Sequence, residues 1–343
     1  MARYKKAASI ASRALSFGKP QHAQWLVTRK CNYRCAGCNV WKEQDDNELS
    51  ADQIKKGLDI LKKMGIVELV ISGGDPLLRP DIDEIIDYAA DRFVLTVYDN
   101  GSMAAKKMDA LKKVDFVAIS IDSLDEKKND DIKAVPGAFR KAMETVQALH
   151  KAGIRVAVTP TISQKNLYEI VDITRYFTGL GIPVWYCLYS YDTSNDSNQL
   201  FRIGKINDEF VITDKQAMVD LCDELIEMQK KNKKILMTTS ILKAMRTLYS
   251  KDRRTWECKA LKKFIVVDHL GRVSGCHHHN HICSIFDFPQ VWKSNEFKKV
   301  SERYHGCTQC SYLCYVAYSL YCGPGGYLSL AKDQWRNAKL LLK

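Results

Sequence analysis

The chain has 343 residues, 46% of them apolar and 27% charged, with a formal net charge of +12. That length and composition suit one large core or two unequal domains and argue against extended disorder. The apolar runs are short, as in "VELVI" (67–71), far below the roughly 20 residues of a membrane-spanning helix. The N-terminus shows no apolar core followed by a small-residue cleavage site, so no secretory signal is expected. Twelve cysteines without such a signal point to metal or redox use in a reducing compartment, the cytoplasm, rather than to a disulfide framework. The positive excess draws in anions, an acidic partner or membrane surface included. Lysines are scattered over many predicted helices and no RNA-recognition signature is present, so nucleic acid is not favoured.

In chain order, residues 1–23 form a leading segment. Within it "YKKAASIASRALSFGK" (4–19) reads as a basic amphipathic helix, with Ala7, Ile10, Ala11, Ala14 and Phe17 on one face and Lys5, Lys6, Arg13 and Lys19 flanking it. Such a helix suits either docking on the rest of the chain or peripheral contact with an anionic membrane. From 24 to about 235, short β-rich runs alternate with helical ones. The strand candidates are 24–28, 67–72, 93–98, 116–121, 155–160 and 184–189. Helices are expected near 50–65, 81–91, 102–113, 137–152, 167–180 and 214–231. The first opens with Ser50 and Gln53, a capping box, and repeats Ile54, Leu58 and Leu61 at helical spacing.

Sixfold strand–helix alternation predicts an α/β fold with a parallel sheet and right-handed crossovers, a partial (β/α)6 barrel. Chemistry in such sheets collects at the C-terminal strand ends. Cys31, Gly73–Gly74–Asp75, Asn100, Ser120 with Asp122, and Thr161 all fall there. A small cysteine-rich α+β domain is expected over 250–325, with a turn at Asp268–Gly271, followed by a C-terminal helix over 326–343.

Eight of the twelve cysteines are Cys31, Cys35 and Cys38, the four between 307 and 322, and Cys276. Cys187 and Cys222 sit in apolar or helical patterns and read as core residues. Three thiolates spaced Cys-x3-Cys-x2-Cys suit a [4Fe–4S] cluster with one iron left without a protein ligand, the open position a catalytic metal keeps. The alternative is a zinc site completed by a distant Cys or His.

The loop "KCNYRCAGCNVW" (30–41), the turn "GGDP" (73–76) and the strand-four residues Ser120 and Asp122, in that order, resemble the radical S-adenosylmethionine (SAM) superfamily over residues 24–230. The resemblance implies that Cys31, Cys35 and Cys38 ligate three irons while the SAM amino and carboxylate groups chelate the fourth. It implies a SAM contact at Gly73, Gly74 and Asp75, whose glycines let backbone approach the ligand. It implies ribose and carboxylate contacts at Ser120 and Asp122, with Asn100 and Thr161 as further contacts, and an adenine-packing segment at 184–189. Gly37 departs from the aromatic residue many members carry before the third cysteine, which leaves Tyr33 or Trp41 to compensate. The implied chemistry is reductive cleavage of SAM to methionine and a 5′-deoxyadenosyl radical that abstracts hydrogen from a substrate carbon, with electrons from a flavodoxin or ferredoxin.

Cys258 and Cys276 followed by Cys307-x2-Cys310 resemble the family's SPASM or twitch extension, in its shorter form with one auxiliary [4Fe–4S] cluster on those four cysteines. Cys314 is an alternative ligand, and Cys283 and Cys322 remain unassigned. "CHHHNHIC" (276–283) keeps a zinc knuckle open, although its histidines read as loop residues at a substrate entrance or in solvent. The expected substrate is a peptide or protein side chain. The alternatives are an isoprenoid lipid or other small molecule at the membrane surface, and a non-catalytic iron–sulfur or zinc protein used for sensing or scaffolding.

Overall fold

A computed structural model of the chain describes residues 20–192, 204–292, 294–305, 307, 310 and 312–320. The amphipathic helix expected at 4–19, the C-terminal helix expected over 326–343 and Cys322 lie outside the described residues. The strands are β1 (His22–Leu26), β2 (Glu68–Ser72), β3 (Val94–Asp99), β4 (Phe116–Ile119), β5 (Val156–Val158), β6 (Thr161–Ile162), β7 (Cys187–Leu188), β8 (Tyr191–Asp192), β9 (Gly204–Lys205), β10 (Phe264–Val267), β11 (Arg272–Ser274) and β12 (Cys283–Ser284). The main helices are α1 (Ala51–Met64), α2 (Ile82–Ala90), α3 (Glu126–Lys133), α4 (Ala138–Lys151), α5 (Ile170–Gly179), α6 (Lys215–Lys231), α7 (Thr239–Lys251), α8 (Asn295–His305) and α9 (Leu313–Leu320). None of the described helices is long and apolar enough to cross a membrane.

β1 to β5 pair in parallel in sequence order, each joined to the next through a helical crossover, as right-handed βα units require. The helix after β1 begins where its capping box predicts. Ser50 Oγ accepts from the Gln53 amide at 3.3 Å and the Gln53 side chain accepts from the Ser50 amide at 2.9 Å. The pleat sorts side chains to two faces. Trp25, Ile71, Val97 and Val117 form one register row, each at most 1% exposed. Trp25 reaches α1 so closely that a Cβ on Gly57 would stand 2.4 Å from its ring. Burial of each such aliphatic side chain stabilises the fold by roughly 1.5–3 kcal/mol. The opposite face, with Gln24, Leu26, Val70, Ser72 and Tyr98, lines a cavity.

The fifth and sixth expected strands, 155–160 and 184–189, are shorter and broken. Pro160 has no N–H to donate, so β5 stops at Val158 and pairing resumes as β6 with β7. The rungs still run on across the break, from Trp185 N to Val158 O (3.0 Å), Cys187 N to Pro160 O (3.0 Å) and Tyr189 N to Ile162 O (2.8 Å). The six-stranded partial barrel is therefore present, with a kinked far wall. β4 likewise ends at Ile119, before Ser120 and Asp122.

The cysteine-rich C-terminal region shares the barrel's sheet. β10 pairs in parallel with β1, and β11 and β12 continue antiparallel beyond it, giving the order β12-β11-β10-β1-β2-β3-β4-β5. The turn expected at Asp268–Gly271 closes the β10–β11 hairpin, with Gly271 N donating to Asp268 O at 3.0 Å. Buried Asp268 is held by Arg272 at 2.6 Å. α9 packs against α7 and β7. Its Tyr318 stacks on His22 at 4.0 Å and its Tyr315 on Phe264 at 4.7 Å, which sets the helix across the starts of β1 and β10.

Candidate active site

The loop after β1 carries Cys31, Cys35 and Cys38, and all three line the cavity. Its root is fixed by Arg79, only 6% exposed. The guanidinium donates to Val27 O (2.9 Å) and Leu49 O (2.8 Å) and pairs with Glu48 (3.2 Å) and Asp81 (2.8 Å). Glu48 in turn accepts from the Thr28 hydroxyl. The loop's middle is tied to the end of α3 through Ala36 N to Ile132 O at 3.0 Å, and Trp41 Nε1 donates to Cys35 O at 3.3 Å.

Gly73 and Gly74 line the cavity, but close approach to a ligand is not the first reason for glycine there. A Cβ on Gly73 would lie 2.3 Å from Thr28 O, and one on Gly74 would lie 2.3 Å from Lys30 O and 2.6 Å from Arg29 O. The turn is packed against the root of the cysteine loop and hydrogen-bonded to it, Gly74 N to Thr28 O and Asp75 N to Lys30 O, both 2.8 Å. The two motifs therefore hold each other in place.

Asp75 does not face the cavity. It is fully buried, its Oδ1 accepts from Leu77 N at 3.0 Å, and its Oδ2 stands 3.5 Å from the Ser102 hydroxyl. Burial, and then the Asp99 charge beside it, push its carboxyl well above the usual carboxylate range. Asp99, at the end of β3, is the member of this pair that lines the cavity, and burial raises it too. Two buried carboxyls side by side favour a shared proton or a cation between them.

Asn100, Ser120, Asp122 and Thr161 all line the cavity. Asn100 Nδ2 donates to Asn32 Oδ1 at 2.8 Å, whereas Ser120, Asp122 and Thr161 are organised by a residue that no sequence pattern marked, Lys133. Its ammonium lies 2.6 Å from both Ser120 Oγ and Asp122 Oδ2, with the lysine and aspartate side chains each 6% exposed. Asp122 Oδ1 accepts from Thr161 N at 2.7 Å. Burial works against the Lys133 charge, but Asp122 and then Cys35 outweigh it and raise its pKa. Burial pushes the Cys31 thiol up to about 11 and Cys38 to about 12, while the Lys133 charge pulls back at Cys35 and Cys38. The pocket alone does not favour bare thiolates; a bound cationic metal would supply the missing charge.

Gly37 has its own reason. A Cβ there would meet Tyr189 Cε2 at 2.8 Å and Phe210 at 3.1 Å. These two rings stack at 5.3 Å and fill the space that a side chain at 37 would take. Tyr33 is buried beneath the loop, and Trp41 holds its place beside Cys35 under the Arg34 and Lys42 charges. Tyr189 and Phe210 therefore fill the space beside Gly37, while Tyr33 and Trp41 also line the cavity.

The second thiol group is Cys258, Cys276, Cys307 and Cys310. Burial and then the Cys310, Cys258 and Cys307 charges push Cys276 well up, and burial with Cys258 and Cys307 pushes Cys310 to about 12. Burial with Cys307 raises Cys258. The four are mutual neighbours, and none lines the cavity. Cys283 is pushed to about 11 by burial and Asp287, with none of those thiols acting on it. Cys314 stands on α9 facing the central cavity, as does Cys187, which read as core. Of the loop histidines, His277 lines the cavity while His279 and His281 are exposed. Burial lowers the His277 pKa to about 3. Among the described residues no three His, Cys, Asp or Glu converge as ligands of one metal ion. A four-iron cluster does not ask for that convergence, since each thiolate binds a different iron. Three thiols on a cavity wall beside a buried lysine, a carboxyl pair and hydroxyl and amide donors fit such a cluster with an amino-acid chelate on its open iron.

Residues 25–177 match the model of the radical SAM superfamily. The chain is 27% identical to an AdoMet-dependent heme synthase of Nitratidesulfovibrio vulgaris, with 88% of each chain covered. It is 30% identical to the subtilosin biosynthesis protein AlbA of Bacillus subtilis over 52% of this chain and 41% of that one. Among solved structures, Streptococcus suis SuiB bound to S-adenosylmethionine superposes with a TM-score of 0.64 at 15% identity, covering 88% of this chain and 71% of that one. The enzyme anSMEcpe with bound AdoMet and a peptide gives 0.64 at 10% identity over 94% and 98%. These structural likenesses show the fold, the family's partial barrel. The chain carries a radical SAM domain over residues 25–177, the mark of a class of enzyme that works with a [4Fe–4S] cluster and SAM.

Proposed function

We propose that Cys31, Cys35 and Cys38 hold the [4Fe–4S] cluster and that the cavity beside them presents SAM to a side chain of a peptide or protein. The observation that carries this is the cavity itself. About 370 Å³ is the room one small ligand needs. With SAM bound, a cavity of that size has little room for a second whole molecule, which favours an arm of a larger substrate. The relatives AlbA and the mycofactocin maturase MftC of Mycobacterium tuberculosis bear names of peptide-pathway proteins.

In this reading Lys133 and Ser120 take the SAM carboxylate side, Asp99 faces its ammonium, Asp122 and Asn100 reach the ribose, and Tyr189 and Phe210 wall the adenine. Bound there, the cluster and SAM supply a 5′-deoxyadenosyl radical through one-electron cleavage of the sulfonium, with electrons from a flavodoxin or ferredoxin. The chain's own part is to hold the reacting carbon in line and to keep water out with apolar and tyrosine walls. Cys258, Cys276, Cys307 and Cys310 hold one auxiliary [4Fe–4S] cluster.

A second reading has one observation in its favour. Two heme synthases match over 88% of this chain and 88% and 83% of their own, whereas AlbA matches over 52% of this one. A small molecule, a tetrapyrrole with carboxylate arms, is then the substrate. Iron-replete protein with reductant and SAM separates the two. Stimulation of 5′-deoxyadenosine release by a pool of unmodified peptides supports the first reading. Stimulation by an iron tetrapyrrole and by no peptide overturns it.

A further inference from the structure

The cavity holds two thiols that neither cysteine group uses. Cys187, at the start of β7, and Cys314, in the first turn of α9, both line it, and so does Tyr98 of β3. The Tyr98 hydroxyl acts against burial at both thiols, as the Trp185 side chain does at Cys314. Burial pushes Cys314 up to about 11 and Cys187 further, so both remain S–H at neutral pH. Beside them Gln24 Oε1 accepts from Tyr315 at 3.3 Å and lies 3.4 Å from His277 Nε2. Three groups with weak, exchangeable S–H or O–H bonds therefore line the cavity proposed to take the substrate arm.

We propose that Cys187 and Cys314, with Tyr98 on the same cavity lining, form a hydrogen-atom donor site that quenches a carbon radical generated in this cavity. The S–H bond is weaker than an alkyl C–H bond, so transfer runs downhill. The thiol S–H breaks, a C–H forms, no charge moves, and a thiyl remains. The Tyr98 hydroxyl, on the same cavity lining, is the group that would pass a hydrogen atom between them, so either thiol can refill the other. The thiyl returns to thiol by taking one electron from a low-potential donor of the flavodoxin or ferredoxin class and one proton from solvent. The substrate carbon then ends with a solvent-derived hydrogen and no net oxidation, as an inversion of configuration would require. The inference rests on the family's radical chemistry and not on which substrate is bound.

The test needs no substrate. The full chain, loaded with iron and sulfide without oxygen, is given dithionite and SAM in D2O, and the 5′-deoxyadenosine is weighed by mass spectrometry. The exchanged S–D groups are the weakest bonds near the radical, so the native chain gives mostly singly deuterated product. The variant C187S/C314S keeps shape and polarity, but its O–H bonds are too strong to donate. Its deuterated fraction should drop at least fivefold with iron content unchanged. Y98F should reduce the fraction less, and freeze-quenched samples should lose a tyrosyl signal. Equal deuterium in the native chain and C187S/C314S would overturn the assignment. Loss of iron in C187S/C314S would also overturn it, by making these thiols ligands. A native chain that forms no 5′-deoxyadenosine would instead sink the radical reading itself.

Discussion

The two thiol groups of this protein differ in number and in what they face. Cys31, Cys35 and Cys38 look into the cavity, with Lys133 beside them. Cys258, Cys276, Cys307 and Cys310 face one another away from it. An open metal position is useful only where a ligand can reach it, and a closed set suits a structural or electron-carrying role. The contrast ties the proposed difference in reactivity to which thiol group the fold leaves facing a cavity, since both groups are built from the same side chain.

The largest expected effect comes from removing one group at a time. The triple variant C31A/C35A/C38A should lose all SAM cleavage and about four of about eight irons, read by iron assay and 5′-deoxyadenosine release. C258A/C276A should lose the other four irons and keep the SAM-responsive cluster. Loss of all iron from either variant would mean that the two groups are not separate sites.

Next is the contact that seats the cysteine loop. G74A drives a methyl into the Arg29 and Lys30 carbonyls and should destabilise the protein by about 3 kcal/mol or more, seen as a lower urea midpoint with weakened cluster retention. A midpoint unchanged from the native chain would show that the turn does not support the loop.

K133M leaves Asp122 buried and uncompensated, at a cost of about 3–5 kcal/mol. K133M/D122N should recover part of that stability while SAM affinity stays at least tenfold weaker. Full recovery of SAM binding in the double variant would contradict a role for this pair at the ligand.

The smallest effect is a pH slope. Asp75 has a raised folded pKa, so between the ordinary carboxyl value near 4 and the raised one the native state holds more protons than the unfolded state. Stability therefore falls as pH rises through that window, by up to about 1.4 kcal/mol per pH unit. D75N should flatten that fall while keeping the Leu77 hydrogen bond. An unchanged slope in denaturation from pH 4.5 to 7 would refute the buried pair.

The features legible in sequence were those with local causes. The Ser50–Gln53 box, the Ile54–Leu58–Leu61 stripe and the cysteine spacing are read within a few residues. The features missed were made by distance in sequence. Lys133 sits on α3, "EKKNDDIK", where only Ile132 is apolar and no amphipathic stripe announces a helix. Asp99 and Asp75 come together through β2–β3 pairing, and only that packing decides which carboxyl meets the cavity. Cys187 looked like core because its neighbours are apolar, yet the barrel interior is itself an apolar-walled cavity. Tyr189 and Phe210 close on Gly37 from segments about 150 and 170 residues away, which no local pattern records. The pairing of β10 with β1 likewise joins two regions that the sequence style divides.

The central claim is a cluster held by three thiolates with its fourth iron open to SAM. The most direct measurement is electron paramagnetic resonance on the reduced variant C258A/C276A/C307A/C310A, with and without SAM. The account predicts a four-iron signal whose g-values shift when SAM is added and vanish with the further change C31A. A signal indifferent to SAM, or iron absent from this variant altogether, would contradict it.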